Sequence, residues 1–254
     1  MRSNKLLELF CGVGLLATCG CGGSTSASSA MPPVSSNVSV RLVDGAPSLE
    51  ALVNGTPQSI CVDVSAPCYL QVNGQTVSQL FYYGTMTPFV SVPAGTLSLV
   101  ARDVVGYAVG PIKTPTLTAR KRYTLVVVGA YPAYSVVAFE EPKNASGAQL
   151  SLYEASPSVP SADFGRFAAS SRSNFTKLGS AHFGTVATVA LGNSASNLGG
   201  YAGSTTAPLG ALTLKQINSF DRRNVLPFHQ AARLSLFLFD PKASSSPVFG
   251  SIDR

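Results

Sequence analysis

The 254-residue sequence predicts an all-β protein of two tandem antiparallel β-sandwich domains behind an export signal and a tether. Three observations predict it. Short alternating or β-branched runs recur along the chain, with 23 Gly and 17 Pro residues scattered between them, the punctuation of turns and not of helices. No stretch of comparable length sustains helical periodicity. A series of strand and turn signals in the first half also returns once further on, which makes a tandem and not a solenoid. Each copy has a length of about 110 residues, suited to a single sandwich.

The chain opens with Arg2 and Lys5, a mostly apolar run from Leu9 to Thr18, and then small residues, the three parts of a secretory signal peptide. The run is shorter than the roughly 20 apolar residues of a membrane-spanning helix, so no permanent transmembrane anchor is expected. At its end stands "LLATCGCGGSTSASSAMPP", residues 15–33, with Cys19 and Cys21 one glycine apart. Cleavage beside a cysteine in that setting resembles the lipobox of bacterial lipoproteins, whose cysteine becomes the lipidated first residue of the mature chain. Cys21, with Gly20 before it, is the expected lipidation site. Cys19, with Leu16 three residues back but Thr18 directly before it, is the alternative, and an ordinary signal peptide cut near Ala30 is a third reading. The layout expected is therefore 1–20 signal peptide, 21–36 tether, 37–143 first sandwich and 148–254 second, divergent sandwich. The tether's Gly, Ser, Ala and Pro residues bury too little apolar surface to repay ordering, so it is expected to be flexible.

Charged residues make up 12% of the chain and hydrophobic ones 45%. Loss of Arg2, Lys5 and Glu8 with the signal takes the formal charge from +6 to +5, a mild basic balance that serves solubility and makes no case for nucleic-acid binding. Cys11, Cys19 and Cys21 belong to the signal and its processing site, where one of the last two carries the lipid, so the cysteines of the body are Cys61 and Cys68 in "CVDVSAPC". An exported chain meets oxidising conditions, and Ala66-Pro67 supplies a turn between them, so a local disulfide is expected. Closing so short a loop stabilises by about 2 to 3 kcal/mol; two packed free thiols are the alternative. Neither a metal nor a cofactor is expected, since no Cys or His stands near enough in sequence to complete a ligand set.

In order along the body, "NVSVRLVDGAP" (37–47) reads as a strand ending in a turn. "CYLQVNGQTV" (68–77) contains Asn73-Gly74, a strong hairpin signal. "TPFVSVPAGTLSLVARD" (87–103) holds two strands about Pro93-Ala94-Gly95, the second placing Leu97, Leu99 and Ala101 on one face. "RYTLVVVGAY" (122–131) is apolar almost throughout, as in a central strand buried on both sides, and "YSVVAFEEP" (134–142) supplies another.

The second copy follows. "VRLVDGAP" (40–47) aligns with "LSLYEASP" (150–157). At an offset of 100, "YGT" (83–85) aligns with "FGT" (183–185), Arg122 with Arg222 and Phe139 with Phe239. The offset changes where the first copy carries Cys61 and Cys68, so the disulfide loop reads as an insertion in that copy alone. The boundary falls in "EEPKNASGA", residues 140–148.

The series "VSVRLVDGAP", "YLQVNGQTV", "FYYGTMTPFVSVPAGTLSLVARD" and "LTARKRYTLVVVG" resembles the domain of unknown function 4397 family of bacterial surface and lipoprotein sequences. There a first strand ends in an Asn-Ala-Ser-Pro-like turn, followed by a Val-Asn-Gly hairpin, Phe-Gly, Val-Pro-Ala-Gly and a Tyr-Thr-Val-Val strand. The resemblance covers residues 38–130 and is weaker over 148–240, where "LGN" (191–193) stands in place of Pro-Ala-Gly; "LTARKRYT" lacks the glycine usual before that Tyr. It implies tandem immunoglobulin-like or transthyretin-like sandwiches outside the cytoplasm, with no established activity and no functional residues to carry over. The shared motifs are turn chemistry, with Gly74 and Gly95 expected where a side chain would strain the backbone.

His182 and His229 are the chain's two histidines, and there is no Gly-x-Ser-x-Gly elbow. No catalytic residue is therefore assigned. Candidate binding residues are aromatic, from the cluster at 81–83 (Tyr82 and Tyr83) together with Tyr131 and Tyr134, whose faces suit sugar rings or peptide side chains. At least one of each alternating pair is expected in the core. The basic turn Arg120, Lys121 and Arg122, echoed by Arg222 and Arg223, suits an anionic envelope polymer, although such turns are more often simply solvated. The function expected is that of a lipid-anchored cell-envelope protein, held to a bacterial membrane, that binds, adheres or displays without catalysis. Its partner is an anionic polymer, a glycan or a protein. An exported hydrolase of unrecognised type and a purely structural spacer are the alternatives.

Overall fold

Val38, Val40 and Leu42 alternate along Asn37–Asp44 and all are buried, which places one face of this strand, β1, against a core. The computed structural model describes residues 36–142, 149–168, 171–190, 197–202, 210–213, 233–242 and 247–253. Among these there are strands and turns and no helix, an all-β fold. Cys19, Cys21, Arg222, Arg223 and His229 lie outside the described residues.

The first half is two layers. One sheet has the order β10 (Ala133–Glu140), β9 (Arg122–Ala130), β1, β6 (Val90–Pro93). The other runs β5 (Gln75–Phe81), β4 (Cys68–Val72), β7 (Ser98–Arg102), β8 (Ala108–Lys113), and β2 (Leu49–Val53) with β3 (Thr56–Ile60) forms a separate hairpin. Leu97, Leu99 and Ala101 are all buried, as their spacing predicts, in a core shared with Val40, Leu42, Leu70, Val72, Leu125 and Val127. Asn73 and Gly74 turn the β4–β5 hairpin with φ of 49° and 82°, and Gly95 has φ of 112°, the left-handed backbone that a side chain resists. The strands about Gly95 join different sheets: β6 pairs with β1 and β7 with β4.

The second half has the same strand order. Its sheets are β14 (Val186–Ala190), β11 (Gln149–Glu154), β17 (Arg233–Leu238), β18 (Val248–Asp253), and β13 (Ser171–His182), β12 (Ser161–Ala168), β15 (Asn197–Ala202), β16 (Gly210–Thr213). Leu150, Leu152, Leu234 and Leu236 face Ala162, Phe164 and Ala181 in its core. All ladders are antiparallel except β1–β9 and β11–β17, which run parallel. This departs from a wholly antiparallel expectation. In each half the chain crosses to the other sheet and returns before the second strand of the pair is laid down, a connection long enough for parallel pairing.

Register also corrects two alignments. Ser39 stands opposite Arg122 and Gln149 opposite Arg233, so the residue in the place of Arg122 is Arg233 and not Arg222. Phe139 lies in β10, whereas Phe239 follows β17 and its N–H bonds Pro247 O; the two are not equivalent. An offset of 100 carried past the loops fails because the second half's connections differ in length. Where the first half has the β2–β3 hairpin and the disulfide loop, the second passes directly from β11 to β12.

β9 is buried on both sides, as its composition predicts, because a third core covers its far face. Val43, Val126, Val128 and Phe139 of the first half meet Tyr153, Phe237, Phe239 and Phe249 of the second there. Tyr153 and Phe237 stack with centroids 4.4 Å apart, and Phe139 meets the Tyr153 ring edge-on at 5.3 Å. Gly45 is required by this contact, since a Cβ on it would come within 2.8 Å of the Phe239 ring.

Candidate functional site

The basic turn is engaged within the first half. Arg120 has φ of 65° and its N–H donates to Asn37 O at 2.8 Å. Lys121 Nζ stands 2.6 Å from Glu140 Oε2, and the hydrogen bond to that carboxylate raises the ammonium above its ordinary pKa. Arg122 lays its guanidinium over the Phe89 ring, 4.0 Å from the centroid, a cation–π contact.

The tyrosines divide by role. Phe81 is buried in the first core, and Tyr83 packs on the interface core with its ring 5.5 Å from that of Phe239. Tyr134 is half-buried. Its hydroxyl accepts Glu50 N–H at 2.8 Å and donates to Ser48 O at 2.9 Å, strapping the start of β2 to β10. Burial foremost raises the pKa of that hydroxyl. Tyr82 is partly exposed, and Tyr131 is exposed at the turn between β9 and β10. Tyr83 and Tyr134 therefore serve different contacts, one in the interface core and the other on the β2 hairpin.

Cys61 and Cys68 form the expected disulfide, with Cα atoms 4.8 Å apart and both residues buried. His182 is exposed; its N–H donates to Thr185 Oγ1. Among the described residues no three His, Cys, Asp or Glu side chains gather closely enough to hold a metal ion.

Three features escape sequence reasoning. Arg41 is 2% exposed, although it lies in the middle of β1. Its Nε donates to Thr124 Oγ1 at 2.6 Å, and its Nη2 donates to Glu141 Oε1 at 3.2 Å, Tyr153 OH at 3.0 Å and Ser235 Oγ at 3.0 Å. Tyr153 OH and Thr124 Oγ1 in turn donate to Glu141 Oε1. The guanidinium therefore ties both halves together inside the interface, with a carboxylate beside it to offset a charge that would be costly to bury alone. The signal was present: a charge flanked on both sides by apolar residues in a strand otherwise of core type.

The second feature is a matched pair of acids. Asp44 ends β1 and Glu154 ends β11, both 0% exposed. Asp44 Oδ1 accepts Ala46 N–H at 3.0 Å, and Glu154 Oε1 accepts Ser156 N–H at 2.9 Å. Asp44 Oδ2 and Glu154 Oε2 have no hydrogen-bond partner among the described residues. Desolvation raises Asp44 well above its ordinary pKa and pushes Glu154 up to about 8. The alignment of "VRLVDGAP" with "LSLYEASP" already sets these acids at one position.

The third is an apolar loop end. The chain enters at Ser36, whose C=O accepts Ala94 N–H, and β7 begins close by, four residues after β6. β7 runs away from there to the 103–107 turn, where Val104 and Val105 are 71% and 76% exposed. Tyr69 at the start of β4 pairs with Arg102, and Cys68 pairs with Phe81. The exposed Val62 and Val64 of the disulfide loop and Leu80 of β5 therefore belong to that same far end.

Residues 48–165 match the family model described as Domain of unknown function (DUF4397), a stretch that begins after β1 and ends within β12. No curated protein matches the chain.

Proposed function

We propose that this chain is an exported protein of the bacterial cell envelope, lipidated at Cys21 or alternatively at Cys19, whose two halves are copies of one sandwich domain that display a binding surface without catalysis. The basic, apolar and small-residue pattern that ends at Cys19 and Cys21 supports export and lipidation. The common strand order of the halves supports the second copy, as does the bonding of each acid to its turn: Gly84 N–H donates to Asp44 O, and Gly184 N–H to Glu154 O. The observation that carries the display role is polarity along the first half. The chain enters at one end, and the exposed valines 62, 64, 104 and 105 sit on loops at the other, the arrangement expected of a domain held by its amino terminus with its loops turned outward.

The test is the mass of the mature amino-terminal peptide from protein made in a bacterial host that processes lipoproteins. A diacylglyceryl or triacylated peptide beginning at Cys21 or Cys19 is expected. An unmodified peptide beginning near Ala30 would overturn the anchor and turn attention to soluble ligands and the hydrolase alternative.

A further inference from the structure

We propose that Asp44 and Glu154 are a matched pair of proton-holding carboxyl groups, one at the same strand end in each half, through which alkaline pH loosens the fold. Each acid sits where its own main chain anchors a turn. Asp44 N–H donates to Thr85 O and its C=O accepts Gly84 N–H; Glu154 N–H donates to Thr185 O and its C=O accepts Gly184 N–H. Each side chain is fully buried, spends one oxygen on a single N–H, and leaves the other without a partner among the described residues. A carboxylate with so little compensation is unfavourable in such a site, so the neutral acid is the form that fits.

Among the described residues no cationic side chain forms an ion pair or hydrogen bond with either carboxyl. Facing Asp44 from the elements packed on it are Tyr134 of β10 and Glu50 of β2, which share its electrostatic neighbourhood. Glu154 bonds the 182–185 turn that carries His182, and the loop after β17 carries Asp240 and Lys242; among the described residues none of these side chains is hydrogen-bonded to its carboxyl. Asp240 is taken by Ser158 Oγ. In both acids desolvation leads the upward shift. An acid with a raised folded-state pKa takes up a proton on folding. Its stabilising contribution is full below the ordinary carboxyl value of 4.5 and is lost as pH rises toward about 8 for Glu154.

The consequence reaches the interface between the halves. Next to Asp44 is Gly45, against which Phe239 is seated, and the turn that Asp44 anchors carries Tyr83, which packs on the same ring. Ionisation at the strand end therefore acts on residues that hold the second half to the first.

The experiment is the thermal midpoint of the full chain at pH 5, 7 and 9, for the wild type, Glu154→Gln, Asp44→Asn and the double variant. The wild-type midpoint is expected to fall by about 10 °C between pH 5 and 9, and the double variant is expected to lose most of that fall. An equal fall in both overturns the proposal. As a readout that does not depend on the variants folding, the side-chain carboxyls of the wild type are also labelled with ¹³C and titrated by NMR. Two resonances still protonated at pH 6 are expected, and ionisation of every Asp and Glu below pH 5 overturns the proposal.

Discussion

The two sheets that meet between the halves share a strand order but not a surface. On the first, Val43, Val126 and Val128 face the partner sheet, with Arg41 beside them; on the second, Tyr153, Phe237, Phe239 and Phe249 do so. Register sets Val43 against the place of Tyr153 and Val126 against that of Phe237, by way of their shared positions on β1, β9, β11 and β17. At these matched positions one scaffold thus presents small branched side chains in one half and large flat ones in the other, while Phe139 and Tyr83 of the first half pack against the edges of the aromatic face. The interface fills because bulk on one side meets room on the other, as native packing density demands.

The largest break in that comparison comes from its most enclosed ring. Phe237→Ala removes a side chain with no exposure, stacked on Tyr153, and is expected to cost about 4 kcal/mol in urea unfolding of the full chain. Its signature is loss of hydrogen-exchange protection in β11 and β17 together with β9, because the aromatic face belongs to both halves.

Arg41→Met keeps the length of the side chain and removes the charge. Glu141, Tyr153 and Ser235 keep only their remaining contacts, and a loss of about 3 kcal/mol is expected. Adding Glu141→Met should recover part of it, since an unpaired carboxylate no longer remains. An additive double variant would mean that the pair does not couple.

The disulfide sharpens the comparison, since it belongs to the first half alone. Replacing Cys61 and Cys68 by Ser is expected to cost about 2 to 3 kcal/mol, with exchange protection lost first in β3 and β4 and least in β12 and β13. Equal loss in both halves would mean that they unfold as one cooperative unit.

Much of the fold is legible in local pattern. The alternation in β1, the Asn73-Gly74 hairpin, the buried face of Leu97, Leu99 and Ala101, and the disulfide each follow from a few neighbouring residues, because strand periodicity and turn chemistry are short-range. The aromatic candidates were less legible. Tyr83 and Tyr134 look alike as sequence, yet one packs on a partner ring and the other straps a hairpin. What covers a side chain depends on strands far away in the chain.

The sequence by itself determined the class, the positions of β1, the β4–β5 hairpin, β6, β7, β9 and β10, the disulfide and the matching of "VRLVDGAP" with "LSLYEASP", all of them consequences of local spacing, while β2, β3 and β8 gave no such signal. Only the tertiary structure decided that β1 and β9 run parallel, that Arg233 stands in the place of Arg122, and that Arg41 lies buried between the halves on Glu141, Tyr153 and Ser235. The physical reason is separation along the chain. A charge in a strand is favourable or ruinous according to what faces it, and Ser235 comes to face Arg41 only after both sheets have formed and closed on one another.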